Sequence, residues 1–306
     1  MGNHVLVVGS VNLDYVIHTE RLPKLGETLT GSGFAVNLGG KGANQAVALA
    51  KAGCEVRMLA AVGTDSGGEF ARASLEGYGV NCDAVRRVAG PTGAAVITVC
   101  GGDNHILLDE GANRAVTPET VAASGDLFAW ADAVVLQLEI PTETVVAAAR
   151  AAKKAGARVV LNPAPAKALP DELFPLVDWM VPNEFEAGIL TGIPQNDEND
   201  AEAAVAALRK KGCADAIITL GKRGCVYSDG SAVRRQGVFR VTPVDTTAAG
   251  DSFIGGFCAK LCEGADVDDA ILYATATSAV AIGRPGAAPS IPSAVEVAGF
   301  LKTHQI

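Results

Sequence analysis

The segment Val244-Asp245-Thr246-Thr247-Ala248-Ala249-Gly250-Asp251-Ser252-Phe253 holds the densest chemistry in the chain, because small residues and a carboxylate stand where a helix begins. Thr246 and Thr247 are expected to cap that helix. Ala249 and Gly250 present no side-chain bulk, so the amides of the first turn can approach a phosphate, aided by the positive end of the helix dipole. Asp251 then stands within reach of a hydroxyl aimed at that phosphate and can take its proton, the pairing that phosphoryl transfer requires. The same residues also describe an ordinary capped helix start with an acid in its first turn.

Four other places offer chemistry. In Gly9-Ser10-Val11-Asn12-Leu13-Asp14 the side chains of Asn12 and Asp14 leave the same side of an extended segment at the carboxyl end of a strand. An amide beside a carboxylate suits the vicinal hydroxyls of a polyol, and an Asx turn accounts for the pair equally well. Gly39-Gly40-Lys41-Gly42-Ala43-Asn44-Gln45 opens a helix with three glycines in four residues, which lets backbone amides face a ligand while Lys41 and Asn44 add polar contacts. That ligand is either a phosphate or a sugar hydroxyl. Glu139 follows a buried apolar run and precedes Ile140-Pro141, so it is either a site carboxylate or a helix cap.

Asn183 and Glu186 stand in capping-box spacing. Thr219-Leu220-Gly221-Lys222-Arg223-Gly224 ends a strand in a glycine turn suited to lying against a nucleotide. Neither G-x-x-x-x-G-K-[ST] nor G-x-G-x-x-G occurs, which removes the P-loop and the dinucleotide fingerprint. The four histidines have no partner at catalytic or metal spacing.

These residues need elements to hold them. Near-continuous apolar runs at 5–8, 58–62, 133–138, 159–161, 179–181 and 216–220 read as strands buried on both faces. Alanine-rich stretches at 42–52, 67–77, 143–155, 184–191 and 201–211 read as the crossover helices between them, and helices dominate from Gly250 to about Leu301. Segments 15–38 and 94–108 break the rhythm. They carry turn signals at Pro23-Lys24-Leu25-Gly26 and Gly101-Gly102-Asp103-Asn104, and are expected to form a small β layer at the carboxyl edge of the sheet.

At 306 residues the chain is expected to form one domain. Apolar residues make up 49%, yet no run approaches the length of a membrane span. The net charge of −9 argues against a nucleic-acid surface. Seven scattered cysteines show no metal spacing and read as reduced core residues. Met1-Gly2-Asn3-His4 runs straight into a strand without a basic leader, so a cytoplasmic location is expected.

Taken together, the two glycine-bearing segments at 39–44 and 245–251 resemble the two signatures of the phosphofructokinase-B carbohydrate kinase superfamily. The likeness runs the length of the chain and includes Gly9 to Asp14, Pro23 to Thr28, Gly111-Ala112-Asn113 and Leu136 to Pro141. The resemblance implies a three-layer α/β/α fold with a mostly parallel sheet and a β-sheet lid, and ATP-dependent phosphorylation of D-ribose at its 5-hydroxyl. Kinases for deoxyribose, fructose, ketodeoxygluconate or a nucleoside share both signatures, and a sugar sensor without turnover is a further alternative.

By resemblance, Asn12, Asp14, Gly40, Lys41, Gly42, Asn44 and Glu139 hold the sugar, Asp251 is the base, and Ala249 with Gly250 forms the anion hole. Asn183 and Glu186 help to place magnesium and phosphate, while Thr219, Gly221, Lys222, Gly224, Gly250 and Thr275 line the ATP site. Thr275 stands where relatives often carry Asn or His. Asp245, Thr247, Ala281, Arg284, Gly286 and Ser290 match a monovalent cation site, usually potassium. The lid also implies a homodimer.

Overall fold

The computed structural model describes residues 2–101 and 103–306; Met1, and Gly102 within the expected turn, lie outside the described residues. Among the described residues thirteen strands divide into two sheets. In chain order they are β1 (His4–Val8), β2 (Asn12–Thr19), β3 (Ser32–Gly39), β4 (Glu55–Gly63), β5 (Val85–Val88), β6 (Gly93–Cys100) and β7 (Asp103–Asp109). There follow β8 (Ala133–Leu136), β9 (Arg158–Leu161), β10 (Trp179–Met180), β11 (Asp215–Thr219), β12 (Cys225–Ser228) and β13 (Val233–Gln236).

The large sheet runs β13-β12-β11-β10-β9-β8-β1-β4-β5, and only its β11-β12-β13 end is antiparallel. Period-two alternation sends successive side chains of each strand to opposite faces. Val5 and Val7 of β1 pack in a core with the helices Lys41–Lys51, Ser66–Gly77, Ala249–Glu263 and Val267–Ile282. Leu6 and Val8 pack in a second core with Thr142–Ala155, Glu184–Thr191 and Glu198–Lys210. Helices therefore cover both faces, and the three layers expected from the sequence are present.

The second sheet has the order β3-β2-β6-β7, with β2 and β6 parallel and both outer pairs antiparallel. The Lys24-to-Glu27 turn closes through Glu27 N–H on Lys24 O at 2.9 Å, with Gly26 at φ 80°. One boundary differs from the sequence expectation. β1 stops at Val8 and β2 already begins at Asn12, so Asn12 and Asp14 stand on the lid sheet and not on the end of a main-sheet strand. The cause is local: Gly40 and Gly42 let the helix start press against this turn. A Cβ on Gly42 would stand 2.5 Å from Ser10 N, and one on Gly40 2.8 Å from Asn12 N.

No helix among the described residues is long and apolar enough to cross a membrane.

Candidate active site

Because the strands from β1 to β11 on the main sheet are parallel, their carboxyl ends share one edge, and the loops leaving that edge converge. Glu139 leaves β8, Asn162 leaves β9, Asn183 follows β10 and Thr219 closes β11. Helix Ala249–Glu263 points its N-terminus at the same edge, with Asp251 in its first turn.

That helix start is not capped by threonine, contrary to the sequence expectation. The cap position is Ala248, in left-handed geometry at φ 58°, and no side chain caps it. A non-glycine residue held there costs about 1–2 kcal/mol. Thr247 instead turns its hydroxyl to Asp245 Oδ1 at 2.6 Å. Ala249 N–H donates to Thr246 O and Ser252 N–H to Ala248 O, which leaves the amides of Gly250 and Asp251 open toward the cleft.

Asp251 is buried, at 6% exposure. Its Oδ2 accepts from Asn44 Nδ2 at 3.1 Å and its Oδ1 from Gln45 Nε2 at 2.9 Å. Asn44 Oδ1 is buried with no partner among the described residues, an acceptor left for a ligand hydroxyl. The reading of Glu139 as a cap for the helix that follows Pro141 is not met. Its Oε2 accepts from Ser10 Oγ at 2.5 Å and from Lys41 N–H at 3.0 Å, and lies 3.5 Å from Asn12 Nδ2, so it serves the N-terminus of helix Lys41–Lys51. Asn12 is fixed from its other side by Asn113 Nδ2 at 2.7 Å.

Charge is concentrated here. Burial, then the nearby carboxylates of Glu139 and Asp251, push the Asp14 carboxyl up to about 7. Among the described residues its carboxylate has no hydrogen-bond donor, and its atoms lie against Gly39, where a Cβ would stand 2.0 Å from Oδ1. Burial pulls the Lys41 ammonium down, but Asp251, Glu139 and Glu186 outweigh it and hold it above its ordinary value. Burial also raises Glu186. That residue forms the expected capping box: Asn183 Oδ1 accepts from Glu186 N–H at 2.9 Å, and Asn183 N–H donates to Glu186 Oε2 at 2.8 Å.

Two cavities of about 500 Å³ each meet at the helix start and share Thr219, Gly221, Thr246, Ala249 and Gly250. The polar one holds Lys41, Asn183, Glu186 and Asp251. The apolar one holds Lys222, Gly224 and Thr275 together with Phe239, Val241 and Pro243. The structure thus brings Thr219, Gly221, Lys222, Gly224, Gly250 and Thr275 to one groove. The 238–243 wall escaped sequence reading, since only the apolar character of Val238, Phe239 and Val241 marks it.

The 283–290 loop is drawn against Asp245, whose Oδ2 accepts from Gly286 N–H at 2.9 Å. Burial pushes Asp245 up, but these donors from Thr247 and Gly286 outweigh it and leave it below the usual carboxylate range. The Arg284 guanidinium turns away to Glu296 at 2.7 Å, so that residue can offer only its backbone to this place. Ser290 is fully buried and donates to Ala287 O at 2.8 Å. Among the described residues no cluster of three or more His, Cys, Asp or Glu is placed to hold a metal.

A parallel sheet with a β layer over its carboxyl edge, and an open helix start between a polar cavity and an apolar groove, is the architecture of a small-molecule kinase. Residues 3–294 match the family described as pfkB family carbohydrate kinase. The chain belongs to that family. It is 41% identical over 304 residues to a ribokinase of Haemophilus influenzae, covering 99% of each chain, and 36% identical to a deoxyribokinase of Salmonella typhi, covering 98% of this chain and 99% of that one. A solved structure described as Arabidopsis thaliana ribokinase complexed with ribose and ATP superposes with a TM-score of 0.93 at 34% identity, covering 99% of both chains.

Proposed function

We propose that this protein transfers the γ-phosphoryl group of ATP to the 5-hydroxyl of D-ribose. The observation that carries the reading is Asp251 at an uncapped helix start, with Asn44 and Gln45 amides on its two oxygens and Gly250 linking a polar cavity to an apolar groove. Full-length likeness to ribokinases supports ribose as the acceptor.

Ribose sits between lid and body. Asn12 and Asp14 approach it from β2, while Gly40, Lys41, Gly42, Asn44 and Glu139 approach from the body. Asp251 takes the 5-hydroxyl proton as the oxygen attacks phosphorus. The open amides of Gly250 and Asp251, beside Ala249, hold the charge that develops on the transferring group, and Lys41 adds a cation next to them. Adenine lies in the apolar groove by Thr275, with Thr219, Gly221, Lys222 and Gly224 along the ribose and phosphates of the nucleotide. The lid excludes water and limits wasteful ATP hydrolysis.

Magnesium carried with ATP would neutralise phosphate charge. Asn183 and Glu186 line the polar cavity; both Glu186 oxygens already accept from Asn183, so the pair would serve the ion through water. The oxygen-rich loop around Asp245, Thr247, Ala281, Arg284, Gly286 and Ser290 has the hard, largely backbone donor set that suits potassium. The lid exposes Val96, Leu107 and Phe34, an apolar face that a second copy covers in a homodimer. Seven free cysteines accord with a reducing cytoplasm.

ATP consumption measured with ribose, deoxyribose, fructose, ketodeoxygluconate and a nucleoside tests the assignment. Ribose-selective turnover is expected. Selective turnover of deoxyribose, or binding of ribose without turnover, contradicts it.

A further inference from the structure

Gln45 is fully buried, adjoins the second kinase signature only in space, and touches neither cavity. Its Nε2 donates to Asp251 Oδ1 at 2.9 Å and to Asn162 Oδ1 at 3.2 Å. Its Oε1 accepts from Gln137 Nε2 at 2.6 Å. An amide can sit in either of two flips, and here its neighbours select one. Gln137 faces the oxygen of Gln45 as a donor. Asn162 is itself oriented by its Nδ2 donating to Val181 O at 3.0 Å, so it arrives as an acceptor. Gln137 Oε1 is buried against Gly9 with no hydrogen-bond partner among the described residues, so the flip of Gln45 is set by the two oxygens that face its Nε2, Asp251 Oδ1 and Asn162 Oδ1.

We infer that Gln45 is a positioning residue for the phosphoryl transfer, its amide held between Gln137 and Asn162 with N–H facing Asp251. The inference rests on the proposed role of Asp251 as the base. With Oδ1 held by Gln45 and Oδ2 by Asn44, the carboxylate cannot rotate away, and its remaining lone pairs stay aimed at the substrate hydroxyl. The selectivity has a structural source. Gln137 and Asn162 follow the ends of neighbouring strands β8 and β9, so the sheet itself sets the angle of the base.

The test is steady-state kinetics on the full chain with Gln45→Met, which keeps volume and removes the donor, and on Gln137→Met, one step further out. For Gln45→Met, kcat is expected to fall roughly 10–100-fold, with KM for ribose and ATP changing by less than about threefold. Gln137→Met should fall in kcat in the same direction and by less, with the same constancy of KM. In an Asp251→Asn background, Gln45→Met should change the residual kcat by less than about twofold, because the two residues act as a unit.

Unchanged kcat in Gln45→Met, or an undiminished loss in the Asp251→Asn background, overturns the inference. Should Gln45→Met not fold, Gln137→Met decides alone: a joint rise in KM and loss of kcat with a lowered melting temperature overturns it. Failure of the parent reading looks different, since Asp251→Asn would then retain near-normal turnover.

Discussion

Asp14 offers a stability measurement that needs no substrate. It is 8% exposed, and its carboxyl is raised from 3.8 to about 7 by burial, Glu139 and Asp251. In the unfolded chain the same group ionises near its ordinary value. Between pH 4 and pH 7 the folded state therefore binds the extra proton, and stability falls as pH rises through that window. A rise of about three units corresponds to a ceiling of about 4 kcal/mol lost by pH 8, at about 1.4 kcal/mol per unit. Asp14→Asn removes the titrating group and keeps its shape. The variant should match wild type near pH 4 and exceed it at pH 8 by at least about 1 kcal/mol, or roughly 2 °C in melting temperature at this chain length. Parallel thermal and urea unfolding of both proteins at pH 4, 6 and 8 checks it. A difference that is independent of pH, or a variant less stable at pH 8, refutes the reasoning.

Replacing the proposed base by Asp251→Asn should cost about 10²–10⁴ in kcat and leave ribose affinity, read by calorimetry, largely intact. Leu107, 76% exposed on β7, lies in the proposed dimer face, so Leu107→Glu should convert a sedimenting dimer to monomer; wild-type protein that sediments as a monomer at micromolar concentration contradicts the interface. Potassium should raise the rate over sodium at equal ionic strength if the Asp245 loop holds a cation, and equal rates count against it.

Much of this molecule is legible in its sequence. Six main-sheet strands announce themselves as apolar runs because a parallel sheet buries both faces. Three do not: Val85–Val88 and Val233–Gln236 carry paired, exposed arginines at the two sheet edges, and Cys225–Ser228 holds a single aliphatic residue, Val226. The short helices Pro118–Ala122 and Gly125–Trp130 span too little for a 3.6-residue period to register. At the site, Asp251, Asn44 and Glu139 stand out by type and position. Gln137 and Asn162 do not, because each is a lone amide at the end of an apolar run, Gln45 is overshadowed by the adjacent Asn44, and only the topology brings residues 45, 137, 162 and 251 together. The threonine caps were misread for a related reason: capping propensity is local, and the carboxylate of Asp245 competes for Thr247.

The start of β2 at Asn12 divides the proposed ribose-binding residues between the lid sheet and the body. Asn12 and Asp14 belong to the lid, whereas Lys41, Asn44 and Asp251 belong to the body. On the proposed reading the sugar is then the hinge pin of the enzyme, and each hydroxyl that spans the gap helps to clasp the two sheets together. A sugar stripped of the hydroxyls that meet Asn12 and Asp14 would still seat against the body but would leave the clasp unfastened. Recognition of the pentose and commitment to spending ATP would thus be a single event.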